Sequence, residues 1–122
     1  MSWPALVAGL IAAAWCAVHL FIGGREVARP LRDAPLPEVV RATAWMTWHM
    51  TTASLATIAA LLVAGWALND ASLIGAGALL AAAVSVAGIL TAPVLGVGFR
   101  MLPQGWLFVP VAALAAWSAL TL

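Results

Sequence analysis

Residues 39–66 read VVRATAWMTWHMTTASLATIAALLVAGW, with no charge after Arg41. At about 1.5 Å rise per residue this stretch reaches roughly 42 Å as a helix, more than the ~30 Å hydrocarbon core of a bilayer. It is therefore predicted as a membrane-spanning helix. Near one end it carries Trp45, Trp48 and His49 among Thr43, Thr47, Thr51 and Thr52. Ionisable groups inside a span are costly and are functional candidates for that reason.

Working outward, the rest of the chain has the same character. Of 122 residues, 66% are hydrophobic and 7% charged. A soluble domain carries about 25% charged residues, so the composition belongs to a membrane protein. The expected fold is an all-α integral membrane four-helix bundle made of two transmembrane hairpins. It is one domain over residues 1–122, with spans at about 3–24, 39–67, 71–92 and 104–122. A net charge of +1 gives no ground for nucleic-acid binding, and the single Cys16 excludes an intramolecular disulfide framework. The N-terminus has neither the basic n-region nor the cleavage site of a signal peptide, so the first span is read as retained.

In the first span, Ala5, Ala8, Ala12, Cys16, His19, Gly23 and Glu26 recur at three- and four-residue steps and share one helical face. Small residues at that spacing let another helix approach closely in lipid. The segment REVARPLRDAPLPEVVR, residues 25–41, is the one highly charged stretch, and Pro30, Pro35 and Pro37 are expected to prevent a continuous helix through it. Pro37 and Glu38 suit the opening turn of the second span. Asn69 and Asp70 read as a tight turn, with Asp70 capping the third helix. The third span has a small-residue face at Ala71, Gly75, Ala78, Ala82, Ser85 and Gly88. Pro93, Gly96, Gly98 and Pro103 break the chain after it, and Pro110 predicts a kink or an irregular first turn in the fourth span.

All five basic residues are arginines and lie in the first and third connections. The positive-inside rule then places both hairpin tips in the cytoplasm and both termini outside. This makes the chain a multi-pass membrane protein. Trp3, Trp66 and Trp117 fit the outer interface, and Trp106 and Trp45 the inner one.

The two histidines are the functional candidates. His19 lies six residues before Arg25, and His49 eight after Arg41, so each sits roughly 9–12 Å inside the charged border. The helices that carry them are consecutive and antiparallel, hence expected neighbours. Three roles fit. The pair could be axial ligands of haem b, or could join Glu26 in a transition-metal site. One of them could also relay protons. Against these stands the reading in which each histidine bonds a carbonyl or threonine across a helix seam. Trp48, Thr52, Arg25 and Arg29 complete the candidate site. Thr43, Thr47, Thr51, Ser54 and Thr57 form a separate stripe, either a water-filled path, a dimer contact, or hydroxyls bonded back to their own helix. Nothing points to hydrolytic chemistry. Small multidrug transporters share this size and span count but carry a membrane-embedded Glu in the first helix, whereas Glu26 lies near the border.

The stretch HLFIGGREVARPL, from His19 to Leu31, followed by Trp48-His49, resembles small bacterial multispan inner-membrane proteins. These have a His-x-x-x-Gly helix end, an Arg-Pro-Leu loop, and a second helix carrying Trp-His and then Thr or Ser. The matching positions are His19, Gly23, Arg25, Arg29, Pro30, Leu31, Trp48, His49 and Thr52, all in the first half of the chain. In the similar proteins an acidic residue often follows the glycine; here Gly24 does, with the acid at Glu26. The resemblance implies a multispan protein of the bacterial cytoplasmic (inner) membrane, in which the arginine placement makes both termini periplasmic, and it supplies no activity. Three expectations follow from the whole sequence. One is a membrane protein with a histidine-centred haem or metal site between the first two helices. The others are an accessory or assembly subunit of a larger complex with structural histidines, and a self-associating transporter or channel for small solutes.

Overall fold

The computed structural model describes residues 2–122. Four helices, each long and apolar enough to cross a membrane, make up the chain: α1 (Trp3–Asp33), α2 (Glu38–Leu68), α3 (Ala71–Leu95) and α4 (Gln104–Thr121). They pack in a ring, each against its neighbours in sequence, with α4 closing back onto α1. The described residues form an all-α membrane bundle of two hairpins. Ser2, Trp3, Asn69 and Leu122 meet at one end, so the termini and the 69–70 turn lie together. The two arginine-bearing connections lie at the other.

The outer surface is apolar. Leu79, Val94 and Leu120 are 74%, 81% and 87% exposed, alongside Leu10, Phe21, Met46, Met50, Val86 and Leu90. A soluble monomer does not present so much contiguous apolar surface, whereas a bilayer solvates it. Inside, Leu55, Ile58, Leu62, Ile74, Phe108 and Val111 pack among Ala5, Ala8, Ala12, Ala78, Ala81 and Ala115. Lipid tails are as apolar as leucine, so close packing of small residues holds the helices together rather than burial of oily ones. The closest approach joins α3 and α4. A Cβ on Gly105 would lie 2.6 Å from the Gly88 carbonyl carbon and 2.7 Å from the Ser85 carbonyl oxygen, so only glycine fits there. The Ser85 hydroxyl donates to the Gly105 carbonyl at 2.8 Å inside the same crossing.

Burial is uneven along the ring. In α2 the fully buried residues are Leu55, Ile58, Leu62 and Gly65, with none among 38–54. In α1 they are Ala5, Ala8, Gly9 and Ala12, followed only by Ala28. The α1–α2 pair is thus tightly packed toward the termini and sparsely packed toward the arginines. α2 has 31 residues, about 46 Å at ~1.5 Å per residue, so roughly 16 Å exceeds the hydrocarbon core. Trp66 at its other end, 6.3 Å from Trp3, suits the membrane interface, which puts the surplus at the arginine end.

Local chemistry explains the helix ends. The Asp70 carboxylate accepts from the Ser72 and Leu73 N–H groups at 2.8 and 3.2 Å, the expected N-cap of α3. Asn69 terminates α2 with φ 56°, in the left-handed region that asparagine tolerates. Gly96, at φ 67°, does the same for α3, which continues through Pro93. Pro110 is accommodated by an irregular first turn: α4 pauses at Phe108 between Gln104–Leu107 and Val109–Thr121.

α1 departs from expectation. Its residues Val18–Ala28 form a π-helix, with the Arg29 N–H reaching the Gly24 carbonyl. This i→i+5 register is rare beyond a single turn. The helix does not stop at Gly24 but continues through Pro30 to Asp33. A widened turn relieves the clash between a proline ring and the carbonyl four residues earlier, the clash that normally breaks a helix. The wider turn also moves the packing seam. Ala5, Ala8 and Ala12 are buried and His19 and Gly23 partly so, but the next seam position is Ala28, five residues after Gly23. Glu26, expected on that seam, is exposed.

Candidate functional site

The site forms where the π-segment of α1 faces α2. On α2, Trp45, Trp48, His49 and Thr52 are spaced i, i+3, i+4 and i+7, so α-helical geometry gathers them on one side. On α1, the π-segment presents His19, Leu20, Phe21, Gly23, Gly24, Arg25 and Ala28, and Arg29 follows directly after it.

His19 and Trp48 form the contact between the two helices. Their rings stack with centroids 4.1 Å apart and planes 15° from parallel. The His19 Nε2–H donates to the Trp48 carbonyl at 3.3 Å, and the Thr52 hydroxyl donates to the same carbonyl at 3.1 Å. One turn deeper, the Cys16 thiol reaches the Thr52 carbonyl at 3.8 Å, a weak donor on a good acceptor. Gly23, one π-turn from His19, leaves room for the indole: a Cβ there would lie 3.0 and 3.1 Å from two Trp48 ring carbons. The His-x-x-x-Gly and Trp-His motifs are therefore two halves of one packing unit. The histidine supplies a flat ring and a donor, the glycine supplies space, and the tryptophan fills it.

His49, the next residue on α2, makes a different contact. It is exposed and packs edge-on against Trp45, centroids 4.6 Å apart and planes 78° apart. Trp45 is in turn covered by the Arg32 guanidinium at 5.4 Å, within cation–π range. Arg32 also pairs with Asp33 at 3.0 Å, the one ion pair among the described residues. His49, Trp45 and Trp48 from α2, with Leu20, Phe21, Gly24, Arg25, Ala28 and Arg29 from α1, line a recess of about 190 Å³.

Of the residues expected at the site, His49, Trp48, Arg25 and Arg29 meet around this recess. His19 and Thr52 hold its wall from behind. Glu26 does not join them: among the described residues no three of His, Cys, Asp and Glu come together to hold a metal ion. The expected set of His19, His49 and Glu26 is thus not assembled, because the π-register turns Glu26 outward. Trp45, expected at the inner interface, also forms part of the lining; its i, i+4 spacing to His49 puts both on one side of α2, and the packing of α1 against that side brings it into the recess. The hydroxyl stripe lies elsewhere and bonds to its own helix. Thr47, Thr51, Ser54 and Thr57 donate to the carbonyls four residues earlier at 2.8–3.1 Å. Comparison with protein-family models, with curated proteins and with solved structures finds no match to this chain.

Proposed function

We propose that this is a non-enzymatic binding protein of the bacterial cytoplasmic membrane. Its ligand enters the recess between α1 and α2 at the cytoplasmic border. The arginine distribution supports that orientation, with both termini periplasmic. The observation that carries the reading is the position of His49 beside Arg25, Arg29 and two tryptophans in one recess, while His19 is occupied in the helix contact behind it. Pockets that bury a whole small molecule measure about 300–1,000 Å³. A recess of about 190 Å³ suits a headgroup-sized moiety.

The haem or metal reading retains one free imidazole. His19 already spends Nε2 on the Trp48 carbonyl, so paired axial ligation would require breaking that contact. A metal cation at His49 would also face two guanidiniums across the recess.

The test is native mass spectrometry and absorption spectroscopy of protein extracted gently from membranes, beside His49→Ala, Arg25→Gln/Arg29→Gln and Thr47→Ala. A retained adduct, lost in the two recess variants and kept in Thr47→Ala, supports the reading. A Soret band lost with His49 would make haem the ligand. Wild-type protein free of any adduct or chromophore would sink the reading.

A further inference from the structure

We infer that the recess is a phosphate site for an anionic headgroup. The inference rests on the binding role proposed above and names the chemistry of its ligand.

Charge is the first ground. Arg25 and Arg29 both line the recess, one turn apart on α1. The single ion pair among the described residues is Arg32–Asp33, so neither Arg25 nor Arg29 has a carboxylate within 4.0 Å to neutralise it. Glu26 is adjacent in sequence and leaves both arginines unpaired. Two like charges a turn apart repel each other, and an anion between them turns that repulsion into attraction on both sides. Guanidinium is also the side chain whose fork of N–H donors best matches phosphate oxygens.

The remaining lining is the second ground. His49 adds an imidazole to the two guanidiniums, and Trp45 and Trp48 bring amphipathic rings of the kind that sit at headgroup level. Leu20 and the largely exposed Phe21 border the recess on its apolar side. A ligand whose phosphate meets the arginines can lay an acyl chain along that side without leaving the membrane. Basic recesses between helices on the cytoplasmic side are where anionic lipid headgroups bind. The shared chemistry is a phosphate group, and its source is either a phospholipid or a soluble phosphate.

The geometry also offers a way to close the site without touching its charge. A Cβ built on Gly24 meets nothing within 4 Å, so Gly24→Leu can enter the recess with the fold intact and both arginines in place.

The experiment titrates delipidated, detergent-solubilised protein with short-chain phosphatidylglycerol, short-chain phosphatidylcholine and inorganic phosphate, reading affinity by calorimetry. Four proteins are compared: wild type, Arg25→Gln/Arg29→Gln, Gly24→Leu, and Arg100→Gln as a charge control in the other connection. Phosphatidylglycerol is expected to bind wild type at least tenfold more tightly than phosphatidylcholine. That preference is expected to be lost in the double variant and in Gly24→Leu, and to change less than twofold in Arg100→Gln. Inorganic phosphate binding as tightly as the lipid, with the same variant pattern, would keep the phosphate site and make its source soluble. Equal binding of the two lipids to wild type overturns the inference, as does an unaltered preference in both recess variants. If native adducts still depend on His49 while neither phosphatidylglycerol nor phosphate binds, this inference falls and the binding role stands. If no adduct exists either, both fall.

Discussion

The imidazole of His19 lies flat on the indole of Trp48 and donates to that residue's own backbone carbonyl, so one side chain grips both the ring and the main chain of its partner. This joins α1 to α2 at the depth where few other residues are buried. His49, one residue further along α2, faces the recess instead. The two histidines thus have separate physical roles, and removing each should have a different effect.

Replacing His19 by Ala removes a stacked pair, about 0.5–1.5 kcal/mol, and a hydrogen bond of about the same size. The expected loss of stability is about 1–3 kcal/mol, with the Trp48 carbonyl still bonded by Thr52. His49→Ala removes only the edge-on contact of an exposed ring with Trp45, four residues earlier on the same helix, and should cost no more than about 0.5 kcal/mol. Equilibrium unfolding in mixed detergent micelles reads both. Equal losses would mean that the two rings are equivalent, contrary to their contacts.

Gly23 is expected to be intolerant of enlargement because the Trp48 ring already occupies the space. Gly23→Val should cost about 1–3 kcal/mol through overpacking. Combining it with Trp48→Leu should return part of that cost, giving a favourable coupling of at least about 0.5 kcal/mol in a double-mutant cycle. Strict additivity would show that the glycine serves something other than the indole.

Gly105→Ala places a methyl group against the backbone of α3, which cannot swing aside as a side chain can. A loss of about 2 kcal/mol or more is expected, with weakened association of the second hairpin. Gly98→Ala meets nothing within 4 Å and should be silent to about 0.5 kcal/mol in the same unfolding assay. The comparison separates the cost of crowding from any general cost of replacing glycine.

Asp70→Ala removes the acceptor for two N–H groups at the start of α3 and should cost about 1 kcal/mol. Asp70→Asn keeps a side-chain oxygen at the cap and should recover most of it. If the asparagine variant is as unstable as the alanine one, the cap is not the source of the effect.

The helical, membrane-spanning character was legible because it depends on composition over long stretches, which local detail does not disturb. The cap at Asp70 and the irregularity before Pro110 were legible for the opposite reason: each follows from one residue's own bonding. The packing of His19 across a seam was also open to view, since His19 shares a three- and four-residue repeat with alanines. The π-segment was not. Its i→i+5 bonds leave no mark on hydropathy, so Glu26 was assigned to a seam that Ala28 in fact occupies, and Pro30 was read as a stop. Gly105 was overlooked because a lone glycine in the first turn of the fourth span carries no signal of its own in the sequence. Its reason for being glycine lies on another helix, at Gly88. The pairing of Trp45 with the recess required knowing which face of α2 meets α1, and that face is set by Gly23 and the Trp48 indole.

The uneven burial along α1 and α2 gives the molecule a mechanical asymmetry. Packed alanines near the termini tie the two helices at one end, and the short connection 34–37 ties them at the other. Between those ties little surface is buried, and the pair is held by His19 on Trp48, Arg32 on Trp45 and the Cys16 thiol on the Thr52 carbonyl. The second hairpin, locked at Gly88 and Gly105, is the rigid frame beside it. The first hairpin is therefore strung like a bow: whatever enters the recess bows the helices apart in the middle while both ends hold, and whatever presses on their outer faces narrows the same space.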